Sequence, residues 1–178
     1  MSDTHGPDRH LAAVVEPRLR AACPADHELL AAFLTGLSPA SAYSRFLTGV
    51  GGSPTPRLLA ALLPARPRGG AVLGFIDGEL VGHGLWARLP DPTVAEIAIV
   101  VADRHQRRGV GTALARAVTD DLVAHGVRDV EVFSSTDNRA VARMVARAAP
   151  DARRELDGPT ATWTFAARGQ AVPVPRTA

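Results

Sequence analysis

The stretch Val94 to Ala115, VAEIAIVVADRHQRRGVGTALA, decides the fold. From Val94 to Ala102 every residue but Glu96 is apolar, the pattern of a strand covered on both faces and therefore central in its sheet. From Gly109 onward the period changes. Val110, Leu114, Val118 and Leu122 form a helical stripe that ends with His125 in the last turn and Gly126 just beyond it. Between strand and helix lies Gln106-Arg107-Arg108-Gly109-Val110-Gly111-Thr112. A helix start leaves backbone N–H groups unpaired and presents the positive end of the helix dipole. Glycine at 109 and 111 lets a ligand approach the main chain, and Arg104, Arg107 and Arg108 add charge suited to phosphate. The junction therefore predicts an anion site, with phosphate the natural ligand.

Before this stretch, Asp77-Gly78 separates two β-prone runs within Ala71–Arg88 and predicts a hairpin with a type I′ turn. Upstream, Pro17–Cys23 reads as an edge strand and Leu29–Leu37 as a helix. Ser38-Pro39 starts a second helix carrying Tyr43, Arg45 and Phe46, and Val50–Ser53 is a flexible connection into a short helix over Arg57–Leu63. Downstream, Val127–Phe133 predicts a strand, Arg139–Ala148 a helix, and Ala152–Phe165 two short strands about Asp157-Gly158. No repeat is visible. The order implies an α+β (mixed α/β) domain with a central, twisted, mostly antiparallel sheet flanked by helices. Residues 1–15 and 168–178 read as mobile tails, leaving a single domain over 16–167.

Composition removes several chemistries. All 20 basic residues of the 178 are arginine. Without lysine there is neither a Walker-type phosphate loop nor a Schiff-base enzyme. Arginine also explains a sequence pI of 9.4 beside a net charge of only +2, because little titrates between neutrality and that value. The pI is thus no sign of a nucleic-acid partner, and 4% aromatic content is too sparse for base stacking. No apolar run approaches the ~20 residues of a membrane span and no leader is evident, so the expectation is a cytoplasmic protein with no membrane partner. The lone Cys23 reads as a small buried side chain. The six histidines show no metal-ligand spacing, so no metal is expected, and His83 and His105 read as solvated. A dinucleotide fold is disfavoured, since Leu114 stands where its glycine fingerprint needs a small residue.

The segment IVVADRHQRRGVGTALA resembles the signature of the GNAT superfamily of N-acetyltransferases, in which a strand and a short acidic turn lead into Q/R-x-x-G-x-G/A at a helix start. Asp137-Asn138-Arg139-Ala140 is similar to that superfamily's Asn-centred motif. RLRAACPADHELLAAF and LSPASAYSRFL resemble the acetyltransferase domain of bacterial protein-lysine acetyltransferases. The resemblance implies a GNAT-like fold and an N-acetyltransferase that takes acetyl-CoA as co-substrate and moves its acetyl group directly to a primary amine, on a protein lysine or a small molecule. It implies that Ile99, Val100 and Val101 lend strand backbone to the pantetheine arm and thioester. Arg107, Arg108, Gly109, Val110, Gly111 and Thr112 would cradle the diphosphate, and Asn138 would touch the pantetheine chain, although its place also suits a helix N-cap.

Glu96 is the only charged residue between Asp91 and Asp103. Burial raises a carboxylate's pKa, which suits it to take a proton from an ammonium, and the resemblance implies that it is the general base. An edge carboxylate paired with arginine is the plainer account. Two departures stand out. The family's tyrosine after the Asn motif is absent, the sole tyrosine being Tyr43, so the general acid is unassigned; and Ala149-Pro150 replaces a common Gly-Phe. The missing tyrosine motivates an alternative, an acyl-CoA-binding regulatory module with little or no catalytic activity. Many relatives are dimers, and a homodimer is left open.

Overall fold

The computed structural model describes residues 16–47 and 53–169. The tail expected over 1–15, residues 170–178 of the tail expected over 168–178, and residues 50–52 of the connection expected over 50–53 lie outside the described residues.

The turn and capping signals produce the elements they predict. Strand β1 (Arg18–Ala21) is followed by helices α1 (His27–Thr35), α2 (Pro39–Phe46) and α3 (Pro56–Leu62). Ser38 caps α2 by accepting the Ser41 N–H at 3.2 Å, with Pro39 in the first helical position. Strands β2 (Gly69–Ile76) and β3 (Glu79–Arg88) meet at Asp77 and Gly78, whose φ values of 51° and 80° are those a type I′ turn requires. Then come β4 (Val94–Val101), α4 (Val110–Ala124), β5 (Asp129–Ser135), α5 (Arg139–Ala148), β6 (Arg153–Asp157) and β7 (Thr160–Ala166).

The seven strands form one sheet in the order β1-β2-β3-β4-β5-β7-β6, so β4 is its middle strand and β1 an edge, as the sequence implied. Every neighbouring pair is antiparallel except β4 and β5, which run parallel because α4 carries the chain across between them.

Helix α4 covers one face. Val110, Leu114, Val118 and Leu122 are completely or almost completely buried and pack on Trp86, Ala95, Ile97 and Val130. Burying each of these aliphatic side chains contributes about 1.5–3 kcal/mol. A Cβ at Gly82 would lie 2.7 Å from Leu114 Cδ1, so glycine there lets the helix settle close to β3. On the opposite face Leu30, Phe33, Leu34, Leu59 and Leu62 of α1 and α3 pack on Leu73, Leu85 and Val100. β4 is thus covered from both sides, its odd-numbered residues against α4 and Val100 against α1 and α3. Among the described residues no helix is long and apolar enough to cross a membrane.

Three expectations about burial fail. Cys23 is exposed, because the carboxylate of Asp26 takes the protected position and accepts the Cys23 N–H at 2.8 Å. His83 and His105, expected to be solvated, are 0% and 9% exposed. His83 points from β3 beneath α3, and His105 is folded under the turn that precedes α4.

Candidate active site

Two features of β4 generate the site. The first is a gap. β4 and β5 pair only over Val94–Glu96 and Asp129–Glu131, and beyond Glu96 the strands separate. In an antiparallel ladder alternate residues turn their N–H and C=O to opposite sides. Ala102 donates to the Val81 carbonyl at 2.9 Å on the β3 side, which sets the phase. Val100, Ala98 and Glu96 therefore also direct their backbones at β3, whereas Ile99 and Val101 direct theirs into the gap. Of the three residues expected to lend backbone there, Ile99 and Val101 are so placed and Val100 is not. Its carbonyl lies against Gly82, and its side chain is core. The Val101 carbonyl is occupied by Gln106, which donates from Nε2 at 3.1 Å.

The second feature is the chain turn after the strand. Asp103 accepts from the Ser38 N–H at 3.1 Å, the Ser38 hydroxyl at 2.7 Å and the Ser41 hydroxyl at 2.8 Å, tying the turn to the start of α2. The Ser38 hydroxyl leads the hydrogen bonds that hold this carboxyl below its ordinary range against the opposing effect of burial. Gln106 adds a bond to the Ser41 hydroxyl at 2.9 Å. So braced, the chain passes through positive φ at Arg107 (60°) and Gly109 (90°) and enters α4. The backbone N–H groups of Arg107, Arg108, Gly109, Val110, Gly111 and Thr112 donate to no acceptor among the described residues. The first intrahelical bond comes from Ala113, to the Gly109 carbonyl at 3.0 Å.

His105 supports this turn from below. Arg104 Nε donates to its Nε2 at 3.1 Å, and Arg108 Nη1 approaches its Nδ1 at 3.4 Å. Burial, followed by the charges of Arg104 and Arg108, depresses its pKa and keeps the ring neutral. Arg104 also pairs with Glu79, while Arg107 is exposed beside the free amides. A run of unpaired N–H groups at a dipole's positive end, with the exposed Arg107 in the same turn, fits a diphosphate. The adjacent gap, edged by extended backbone, fits an amide-bearing arm. These residues therefore suit an acyl-CoA.

Glu96 stands elsewhere on the same strand. Its side chain projects from the face opposite α4, is half-buried, and forms no ion pair among the described residues, so the pairing with arginine is not found. Asn138 caps α5, its Oδ1 accepting the Val141 N–H at 3.2 Å, and its amide nitrogen has no partner among the described residues. Arg139, Arg143 and Arg147 are a solvated helix face. Asp103 and Arg45 belong to this region although the sequence did not assign them to it, and Gln106, which opens the quoted junction, acts there through its side-chain amide. Asp103 meets Ser38 and Ser41 more than sixty residues away, and no local spacing marks Asp103 or Arg45.

The family model for the acetyltransferase (GNAT) family matches residues 40–149, more than half of the chain. The chain belongs to the acetyltransferase (GNAT) family. It is thereby an acyltransferase, and members of the family bind an acyl-CoA and an acceptor. Solved structures agree on the fold. The GNAT domain of S. lividans PAT superposes with a TM-score of 0.76 at 20% identity, over 84% of this chain and 90% of that one. An acetyltransferase of the GNAT family from Streptococcus pneumoniae gives 0.67 at 18% identity, over 85% and 99%. The ribosomal-protein-S18-alanine N-acetyltransferase of Escherichia coli gives 0.63 at 13% identity, over 88% and 98%. No curated protein matches the chain. The GNAT fold expected from the sequence is thus present, the described residues forming a seven-stranded mixed sheet flanked by five α-helices.

Proposed function

We propose that this GNAT-family chain is an acetyl-CoA-dependent N-acetyltransferase acting on a primary amine, of a protein lysine or a small molecule, with residues 16–167 as one acetyltransferase domain. The observation that carries the proposal is the run of unpartnered amides from Arg107 to Thr112 beside the strand gap. In a folded protein such donors seldom lack an acceptor, and this set has the shape and charge of a diphosphate site.

Bound acetyl-CoA supplies an activated acyl thioester. Arg107, Arg108, Gly109, Val110, Gly111 and Thr112 hold its diphosphate through main-chain N–H groups, with guanidinium charge from the arginines. Ile99 and Val101 align the arm by extending the sheet into the gap, and an N–H from this edge is placed to stabilise negative charge developing on the thioester oxygen. Asn138 has an amide nitrogen free for the same arm while its oxygen caps α5.

Glu96 lies three residues before Ile99, about 10 Å along the strand, and the proton reaches it through bridging water. It accepts the proton of the incoming ammonium, whose ordinary pKa near ~10 otherwise leaves it unreactive. The leaving thiolate, with a pKa near ~8.5, can be protonated by water, which accommodates the lack of a tyrosine after the Asn motif. Glu96→Gln is expected to lower turnover roughly 10²- to 10⁴-fold while acetyl-CoA affinity is unchanged. Steady-state kinetics with CoA release as the readout, beside calorimetric binding, checks this. Unchanged turnover would remove Glu96 from the mechanism. Tight acetyl-CoA binding with no CoA released for any amine would instead favour a regulatory module.

A further inference from the structure

Two buried side-chain polar atoms have no hydrogen-bond partner among the described residues: Arg45 Nε and His83 Nδ1. They belong to one place. His83 on β3 stands opposite Val100 of β4, and Val100 shares a sheet face with Glu96 through the two-residue alternation of a strand. Helix α2 packs over β4, and the charge of its Arg45 acts on both Glu96 and His83. The cluster therefore lies on the Glu96 face, away from the amides of the diphosphate cradle.

The chemistry of each atom is fixed by its neighbours. His83 Nε2 is 2.9 Å from the Leu62 carbonyl, which can only accept, so Nε2 carries the hydrogen and Nδ1 offers a lone pair. Burial first and the Arg45 charge second push this imidazole down to about 4, so it is neutral. Burial likewise lowers Arg45, to about 10, which leaves it fully charged at neutrality. Its guanidinium sits 5.0 Å from the centre of the Phe46 ring, but among the described residues it makes no hydrogen bond and no ion pair. A guanidinium drawn into protein without a carboxylate is disfavoured unless an anion arrives. The charge of Glu96 acts on it, but the two form no ion pair among the described residues.

We propose that Arg45 is the acceptor-specificity residue of this site, its guanidinium binding a carboxylate carried by the acceptor, so that the preferred substrates are amines with a nearby carboxylate. The inference rests on the acyl-transfer reading above and narrows it. His83 Nδ1 supplies a single acceptor to the same place. The carboxylate can belong to a free amino acid or to an acidic residue beside a lysine in a peptide.

The test compares matched pairs with the full chain and saturating acetyl-CoA: free amino acids against their carboxamides, and lysine peptides with a neighbouring aspartate against the same peptides with asparagine. Whichever pair is turned over identifies the source. The carboxylate member is expected to have a kcat/KM at least about tenfold higher, because a site built around a charged hydrogen bond rejects the analogue that lacks it. Arg45→Gln should abolish that preference, chiefly through KM for the carboxylate member, so that the two members of each pair converge. Arg45→Lys should restore part of it. Equal kcat/KM within every pair in the unaltered protein would overturn the proposal whatever the variants do. A uniform fall in kcat for both members of each pair in Arg45→Gln would also overturn it, since that marks a residue that only positions Glu96. If no amine is turned over, acyl transfer itself is refuted, and calorimetric binding of the same pairs to the CoA-loaded protein decides Arg45 separately. Tighter carboxylate binding lost in Arg45→Gln supports the assignment, and equal binding overturns it.

Discussion

Gly109 shows how much one residue can determine. Its φ of 90° is a conformation that side chains with a Cβ rarely adopt, and it is the point at which the chain turns from the braced segment into α4. Gly109→Val would force the backbone out of that region at a cost of about 1–3 kcal/mol or shift the neighbouring amides away from a common focus. Loss of most acetyl-CoA affinity, with at most a modest fall in melting temperature, is the expected result by calorimetry and thermal denaturation. Normal affinity in that variant would show that the amides do not act together. Residues of this kind are legible in sequence because the requirement is local. Asp77-Gly78, Ser38-Pro39 and Gly109 each announce a backbone conformation. His83, His105 and Arg45 announce nothing, since their burial is settled by packing that no local pattern encodes, and the exposure of Cys23 follows from the protected position that Asp26 takes. His83 is covered by α3, whose Leu62 carbonyl meets its ring.

At the scale of elements, the links that hold the first third of the chain to the sheet are polar as well as apolar. Arg20 on β1 donates to Asp26 from both terminal nitrogens, at 2.8 and 2.6 Å, and the Cys23 N–H adds a third bond to that carboxylate. The Arg20 hydrogen bond holds the Asp26 carboxyl well below the usual carboxylate range, outweighing a burial effect of opposite sign. A carboxyl depressed in the folded state contributes its full stabilisation above the unfolded pKa of about 3.9 and loses it as pH falls toward the folded value. Asp26→Asn is expected to cost about 1–2 kcal/mol at pH 7, given the partial exposure of Arg20, and the deficit should shrink as pH drops below ~4. Urea denaturation of both proteins across that range measures it, and a deficit independent of pH would show that the pair contributes only packing. None of these links could be read from sequence, where Asp26 stands before a helix as a capping residue would. The same holds for Asp103, whose partners on α2 are more than sixty residues away. The elements themselves were legible because cap, turn and period agree along the chain.

For the whole molecule, the central feature is a sheet that is incompletely closed. β4 pairs along its length with β3 but for only three residues with β5, and the crossover through α4 sets the start of that helix beside the resulting gap. One packing arrangement thereby generates the slot, the amide cluster and the opposite face that carries Glu96, Arg45 and His83. Strand separation of this kind is not encoded by any pattern in β4, whose apolar run reads as an ordinary central strand. It follows from where β5 is carried by α4, β7 and α5. The most direct measurement is a backbone amide NMR titration of the full chain with CoA, set against pantetheine, which lacks the diphosphate. CoA is expected to shift the amides of Arg107 to Thr112 most, with Ile99 and Val101 following, and pantetheine to leave Arg107 to Thr112 unmoved. Shifts concentrated elsewhere, or the same response at Arg107 to Thr112 with pantetheine, would contradict the assignment of these amides to the diphosphate.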